Sequence, residues 1–379
     1  MHVKSDKAVS KPMGKKVVLL TALDSGGILQ FANQMALTLK AMDVPFALFV
    51  PVGAGSRCAE NIVDNVFEYR LPKFAVPAEK ETKKLAADIL KMDPGCLIAV
   101  DDAIKASAVV GALSKKISCA IAIHDVNPHP QNITLYKFFS ETLRKFLARQ
   151  AYKKADTVVL LSENSYKLFG KQHKKMLPKA TVFPLGAHDM PAVPAMPAEL
   201  QQYGNIDGFA LFFGRIDKYK GVDRLIEAQT MNCRDASYDL DVIIAGKNMS
   251  NEKLDTSVEN KIVCMQRFIS DGEMIWLFEH CGVVVLPYYE ASQSGVLPIA
   301  YKYGKPVIVS DIDGLRELVV ENKTGHVFED CRQLSFALKK YAVDKSGKAN
   351  PEISDFYKET YDWEKNMKAL LGRVLKSDE

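Results

Sequence analysis

The chain lacks several features that would fix its chemistry at once. Its seven cysteines (58, 96, 119, 233, 264, 281 and 331) form no Cys-x-x-Cys pair, and several sit inside apolar runs. That pattern excludes a disulfide framework or zinc ribbon and reads as reduced core thiols. No apolar run approaches the roughly 18 residues of a membrane span, and residues 1–16 contain no signal-peptide core. A cytoplasmic protein with a mobile basic tail over 1–14 is therefore expected. No Gly-x-Gly-x-x-Gly follows the first strand of either half, which argues against a nicotinamide dehydrogenase, and no Gly-x-Ser-x-Gly elbow is present. Asp239-Leu-Asp241 and Asp311-Ile-Asp313 have no histidine or glutamate cluster beside them, so no metal and no cofactor are assigned.

What the chain does contain is a regular alternation. Short apolar strands and helical segments follow one another from end to end, as parallel sheets covered on both faces require. In the first half strands are expected at 16–21, 45–50, 96–100, 119–124, 157–162 and 181–184, with helical patterns at 29–42, 79–92 and 136–152. Three prolines in Met190-Pro-Ala-Val-Pro-Ala-Met-Pro mark an extended linker. Strands then resume at 209–213, 242–245, 262–265, 283–286, 307–310 and 326–328, and the stretch 354–375 reads as a helix with Trp363 near its centre. At 379 residues two domains are expected. Their expected bounds are 15–187 and 199–353, joined by a linker over 188–198, with 354–379 crossing back to the first. Two doubly wound sheets would bind ligands at the carboxyl ends of their strands, in a cleft between the domains.

The net charge of +4 hides an asymmetry. Residues 1–190 hold 27 Lys and Arg against 17 Asp and Glu, and the remainder holds 23 against 29. A basic half suits an anionic partner such as a lipid headgroup surface, a phosphorylated acceptor or nucleic acid, or serves only as a solvated face.

Four stretches carry candidate chemistry. In Gly282 to Gly314 a buried strand meets a turn holding Glu290, Ser294 and Gly295, then a helix opening at Val296 whose first N–H groups suit an anion. In Ala210 to Ala228 a strand runs into Gly214-Arg215-Ile-Asp-Lys-Tyr-Lys220-Gly221, two fixed cations on one turn. Together these suggest a diphosphate site, with Arg215 and Lys220 neutralising charge on a leaving group. Gly26 and Gly27 end the first strand in a small-residue loop that can offer N–H donors, or simply make a tight turn. His124 emerges from Ala-Ile-Ala-Ile, either to meet a reacting sugar or as a satisfied structural histidine. Glu290 either accepts from hydroxyls or caps the helix that follows.

In this order and spacing the chain resembles the retaining glycosyltransferases of the GT-B fold, most closely family 4. The resemblance rests on Gly26-Gly27, His124-Asp125, the Ala155 to Ser162 strand, Leu185-Gly186, Gly214-Arg215 with Lys220-Gly221, the Glu290 region and Trp363-Glu364. It implies two facing Rossmann-like domains and metal-independent transfer of a sugar, with retention, from a nucleotide-diphosphate sugar to a glycan or lipid-linked acceptor. Arg215 and Lys220 would hold the diphosphate, assisted by Gly27 and the backbone at Ser294 and Gly295, while His124 would contact the transferred sugar. Glu290 would be the first of two family glutamates. The second falls on Ile299, and the segment before it is one residue longer, so the usual ribose-binding carboxylate is missing. The family's acceptor domain often lies on a membrane, which would suit the basic half and make Lys145, Arg149, Lys153, Lys154, Lys171, Lys174 and Lys175 a surface at its inner face. No nucleic-acid partner is expected. A nucleotide-sugar epimerase, for which no acid pair is identified, and a non-catalytic binding subunit, supported by Ile299, stand as alternatives.

Overall fold

The computed structural model describes residues 15–70, 79–126, 135–189, 192–204, 206–249, 254, 261–342 and 347–375, with 135–140 described by backbone alone. The expected tail over 1–14 and residues 190–191 of the expected linker lie outside them. The chain divides into two compact units: 1–161 with 169–183 and 363–379, and 162–168 with 184–362.

Unit 1 is built on a sheet of seven strands, β1 (Lys16–Leu20), β2 (Phe46–Pro51), β3 (Val66–Tyr69), β4 (Pro94–Ala99), β5 (Ser118–Ile123), β6 (Thr157–Leu160) and β7 (Ala180–Val182). Their order is β3-β2-β1-β4-β5-β6-β7 and every pairing is parallel. Val17 to Leu20 and Val158 to Leu160 are fully or almost fully buried, as strands covered on both faces must be. The strand β3 was not expected from sequence. It is an edge strand with an exposed Glu68 and follows a polar 3₁₀ segment, Glu60–Asn65, so it carries no continuous apolar run.

Unit 2 carries six strands, β8 (Ala210–Phe213), β9 (Val242–Ala245), β10 (Ile262–Met265), β11 (Val283–Leu286), β12 (Val307–Ser310) and β13 (Gly325–Phe328), again all parallel, in the order β10-β9-β8-β11-β12-β13. In both sheets the order reverses beside the first strand, between β1 and β4 and between β8 and β11. Loops leave such a switch point in opposite directions and open a crevice at the strands' carboxyl ends.

The closing stretch is two helices rather than one. Pro351–Tyr361 belongs to unit 2, Trp363–Val374 to unit 1, and Asp362 separates them with ψ near 116, outside the helical region. Trp363 therefore opens the second helix instead of lying at the centre of a single one. In unit 1 its ring packs 5.7 Å from Phe31 and 5.5 Å from Phe183.

Asp101 follows β4 at the unit 1 switch point and is almost fully buried. Its carboxylate accepts from Ala22 N at 2.7 Å, Ala103 N at 3.0 Å and Thr21 Oγ1 at 3.1 Å, while the Tyr69 hydroxyl donates to the Thr21 carbonyl at 2.7 Å. These bonds anchor the start of the loop that carries Gly26 and Gly27. Burial outweighs the three donors and raises the Asp101 pKa to about 6. Since the native pKa lies above the unfolded one, ionisation costs stability as pH rises from near 4 to above 6. Acidification from pH 7 to 5 should therefore stabilise wild type more than Asp101→Asn, by on the order of 2 kcal/mol. Thermal unfolding of both at the two pH values checks this, and identical pH responses would contradict it.

Candidate functional site

At the unit 2 switch point β8 and β11 are neighbours, with Val283 opposite Ala210 and Val284 opposite Leu211. The turn that leaves β8 is short and fully bonded. The Asp217 carboxylate accepts from Lys218 N at 2.8 Å, Lys220 N donates to the Asp217 carbonyl at 2.9 Å, and Gly221 N to the Lys218 carbonyl at 3.1 Å. Gly221 adopts φ near 61, and a Cβ there would stand 2.0 Å from the Pro287 carbonyl oxygen. Only glycine permits this approach, which presses the first turn against the second. Tyr289 N donates to the Tyr219 carbonyl at 2.8 Å and joins the same two turns.

The consequence falls on Lys220. Its ammonium lies 3.7 Å from the centre of the fully buried Tyr288 ring and 5.3 Å from that of Tyr219, with no ion pair to a carboxylate among the described residues. Burial lowers its pKa to about 8; Tyr219 opposes the shift and Arg215 reinforces it. Cation–π attraction offsets part of the desolvation and the rest is left uncompensated. Arg215 itself is exposed. The arrangement is a half-buried cation held over an aromatic ring, with the Asp217 carboxylate acting on it from beyond ion-pair distance, beside a second cation in solvent.

The second turn runs from Pro287 to Gly295. Ser294 is buried and its hydroxyl accepts from Val296 N at 3.3 Å, while Gly295 is exposed and the helix Val296–Lys302 follows. Gly314 packs beneath this turn, where a Cβ would meet the Ala291 carbonyl at 2.2 Å. The nearest atom to a Cβ built at Gly214 is Val296 Cγ2, at 3.8 Å. Glu290 is exposed and lines a cavity of about 680 Å³ together with Asp217, Lys218, Tyr219 and Tyr289. Ile299 is half buried against the unit 2 core and presents no acceptor.

Of the sequence-derived candidates, Gly214, Arg215, Lys220, Glu290, Ser294, Gly295 and Val296 thus stand on two contiguous turns of unit 2. Gly26, Gly27 and His124 belong to unit 1. The helix Gly26–Ala41 starts three residues earlier than expected, its first residue Gly26 has φ near 74, and Ser25 makes no side-chain cap to it. Among the described residues, beyond chain neighbours and the helix's own backbone, no atom lies within 4 Å of a Cβ placed at either glycine. His124 follows β5, donates from Nε2 to the Val100 carbonyl at 2.8 Å and meets Phe31 edge-on at 5.3 Å. Burial lowers its pKa, so the ring is held neutral near pH 7. This hydrogen bond gives His124 the structural anchoring considered as its alternative role.

Sequence reasoning missed Tyr288, Asp101 and the group formed by Tyr289, Asp223 and Arg224. Tyr288 and Lys220 are too far apart in the chain for any local pattern to pair them. The seven surface candidates from Lys145 to Lys175 are all exposed, on the helices Leu135–Lys154 and Glu163–Gln172 and the 3₁₀ segment Lys174–Lys179, and Phe146 beside Lys145 is 58% exposed. Arg144 turns inward, donating to Glu141 at 2.8 and 2.9 Å and to Asp102 at 3.2 Å. Among the described residues no helix is long and apolar enough to cross a membrane, and no group of three or more His, Cys, Asp and Glu side chains could hold a metal ion. All seven cysteines are free, with Cys96, Cys119 and Cys281 buried.

An ammonium desolvated more than its surroundings compensate is a cost to folding that a neutral side chain of similar shape removes. Lys220→Met should be more stable than wild type by on the order of 2 kcal/mol at pH 7. Because the native pKa lies below the unfolded one, the wild-type penalty fades as pH rises from about 8 toward the ordinary lysine range. Denaturant unfolding at pH 7 and pH 9.5 should show the gap narrowing. A variant less stable than wild type at pH 7 would contradict the electrostatic description.

Residues 202–350 match the family model for glycosyl transferases group 1. No curated protein matches the sequence. Among solved structures, HepE from Anabaena in complex with UDP superposes with a TM-score of 0.71 at 17% identity, covering 94% of this chain and 98% of that one. Sucrose-phosphate synthase from Thermosynechococcus elongatus gives 0.68 at 14% identity, covering 94% and 97%. An E. coli structure described as trehalose-6-phosphate bound with UDP-2-fluoro glucose gives 0.60 at 13%, covering 96% and 99%. At these identities the likeness establishes the fold. The chain therefore has the GT-B fold of two Rossmann-like units, and residues 202–350, within its second unit, match the glycosyl transferases group 1 family.

Proposed function

We propose that this protein transfers a sugar, as a hexosyltransferase, from a nucleotide-diphosphate sugar to a glycan or lipid-linked acceptor, retaining anomeric configuration and requiring no metal. The observation that carries the reading is Lys220, a desolvated ammonium over the Tyr288 ring with no carboxylate partner among the described residues. Such a group is stabilised when an anion arrives, and it gains most as charge develops on a leaving diphosphate. Arg215, exposed on the same turn, supplies the second cation. The family of residues 202–350 and the solved neighbours that carry UDP support a nucleotide donor.

In this reading Ser294, Gly295 and Val296 border the diphosphate through backbone, and Glu290 accepts from hydroxyls of the sugar. Gly26 and Gly27 leave open space at the start of a long helix, which suits close approach by a ligand of unit 1. His124, held neutral, acts as a hydrogen-bonding group toward the transferred sugar rather than as a charged acid. The exposed lysines and arginines of unit 1, with Phe146 among them, suit an acceptor at an anionic membrane surface, in keeping with a cytoplasmic enzyme that binds the inner face peripherally. The second reading, a binding subunit without turnover, is favoured by Ile299, which offers nothing to a ribose where the resemblance expects a carboxylate.

Arg215→Ala combined with Lys220→Ala should lower turnover by at least about a hundredfold, and undiminished activity would refute the assignment. The kcat/KM for donor should fall as pH rises through about 8, where Lys220 loses its proton. Lys220→Arg, whose guanidinium stays charged, should retain part of the activity without that alkaline limb. An unchanged limb in Lys220→Arg would assign it to another group, and donor binding without turnover in wild type would favour the second reading.

A further inference from the structure

The cavity beside the two turns has a wall that the diphosphate reading does not use. Tyr289 is 52% exposed yet fixed on three sides. Its hydroxyl donates to Asp223 Oδ2 at 2.5 Å, its backbone N–H is bonded to Tyr219, and the Arg224 guanidinium lies 5.4 Å from its ring centre. Arg224 is fixed in turn, donating to Ser310 Oγ at 3.2 Å and to the Glu329 carbonyl at 2.6 Å, with Phe328 against it at 4.8 Å. A large ring left half in solvent but deprived of rotational freedom is a preformed binding face, because little entropy remains to be lost on contact.

Among the described residues, the charged groups that line the cavity are Asp217, Asp223 and Glu290 against Lys218. Arg215 and Lys220 do not line it. The cavity is therefore a poor host for the phosphates and suits a neutral portion of the donor. Carboxylates only accept hydrogen bonds, which matches the many hydroxyl donors of a polyhydroxyl ring. The aromatic face suits the C–H surface of a sugar.

Building on the donor reading above, we propose that Tyr289, locked by Asp223 and Arg224, forms the specificity wall of the glycosyl subsite and that this subsite takes an uncharged hexosyl group in preference to a hexuronosyl one. Asp223 and Arg224 are positioning residues: they act through Tyr289. A carboxylate on the sugar would be brought among three others at short range, and discrimination of at least about tenfold is expected at low salt.

Calorimetric titration of the full chain with UDP and GDP first identifies the nucleotide that binds; the hexose and hexuronate esters of that nucleotide follow. Wild type should bind the hexose ester at least about tenfold more tightly than the hexuronate, and Asp217→Asn should narrow the ratio. Tyr289→Ala should weaken the hexose ester severalfold and leave the free nucleoside diphosphate unchanged. Asp223→Ala should reproduce that pattern, and Asp223→Asn, which keeps an acceptor for the tyrosine, should restore it in part. Equal loss for ester and free nucleotide in Tyr289→Ala, or a hexuronate bound as tightly as the hexose by wild type, would overturn the proposal. Failure of wild type to bind any nucleoside diphosphate or ester would remove the donor reading itself, and the subsite with it.

Discussion

The site in unit 2 depends on one interaction, the placing of the Lys220 ammonium over the buried ring of Tyr288. Everything local serves to bring those two groups together. Gly221 takes a conformation closed to other residues and lets the first turn touch the Pro287 carbonyl, and the bond from Tyr289 to Tyr219 fastens the two turns at the same place. The ammonium gives up hydration and receives in return a ring quadrupole rather than a carboxylate. That exchange is unfavourable for folding and favourable for meeting an anion. Under the proposed function, that incompletely satisfied charge is where binding energy for a developing diphosphate would come from.

Sheet topology explains why this occurs where it does. In both units the first strand has neighbours whose connections run to opposite sides, so the loops after β8 and β11, and those after β1 and β4, diverge at the carboxyl edge. Unit 2 fills its switch point with cations and a hydroxyl-bearing turn. Unit 1 fills the equivalent place with an open glycine loop whose start is anchored by the buried Asp101 carboxylate, and His124 stands one strand further along. The same geometry carries opposite electrostatic solutions: a half-buried cation over an aromatic ring, with no ion pair among the described residues, in one unit, and a buried carboxylate with three donors in the other.

How far this was legible in the sequence follows from what each feature depends on. Strands β9 to β12 were found at their observed bounds, because each is a short apolar run rich in β-branched residues and too brief for a helix. The edge strand β3 escaped because one face is wet, and the division of the last helical stretch at Asp362 escaped because both halves are helical. Arg215, Lys220 and Glu290 were legible as residues of two turns that follow buried strands, and the fold places those turns side by side. Tyr288 was not, since a tyrosine at a strand end looks like core until its distant partner is known. The locking of Tyr289 by Asp223 and Arg224 was hidden for the same reason: it joins a helix to a turn more than 60 residues away. Asp101 carried no sequence signal, since its role rests on burial and on donors from Thr21, Ala22 and Ala103 that only the fold brings to it.

The central claim is that Lys220 waits, partly deprotonated at mildly alkaline pH, for the charge of a diphosphate. Proton uptake on binding measures this directly. Titration of a nucleotide sugar into the protein at pH 8, in buffers of different ionisation enthalpy, should reveal uptake approaching half a proton per molecule bound, about the deprotonated fraction of a group whose pKa is about 8. Uptake should be absent in Lys220→Arg. Binding of the nucleotide sugar to wild type with no proton taken up, or with the same uptake in Lys220→Arg, would contradict the account.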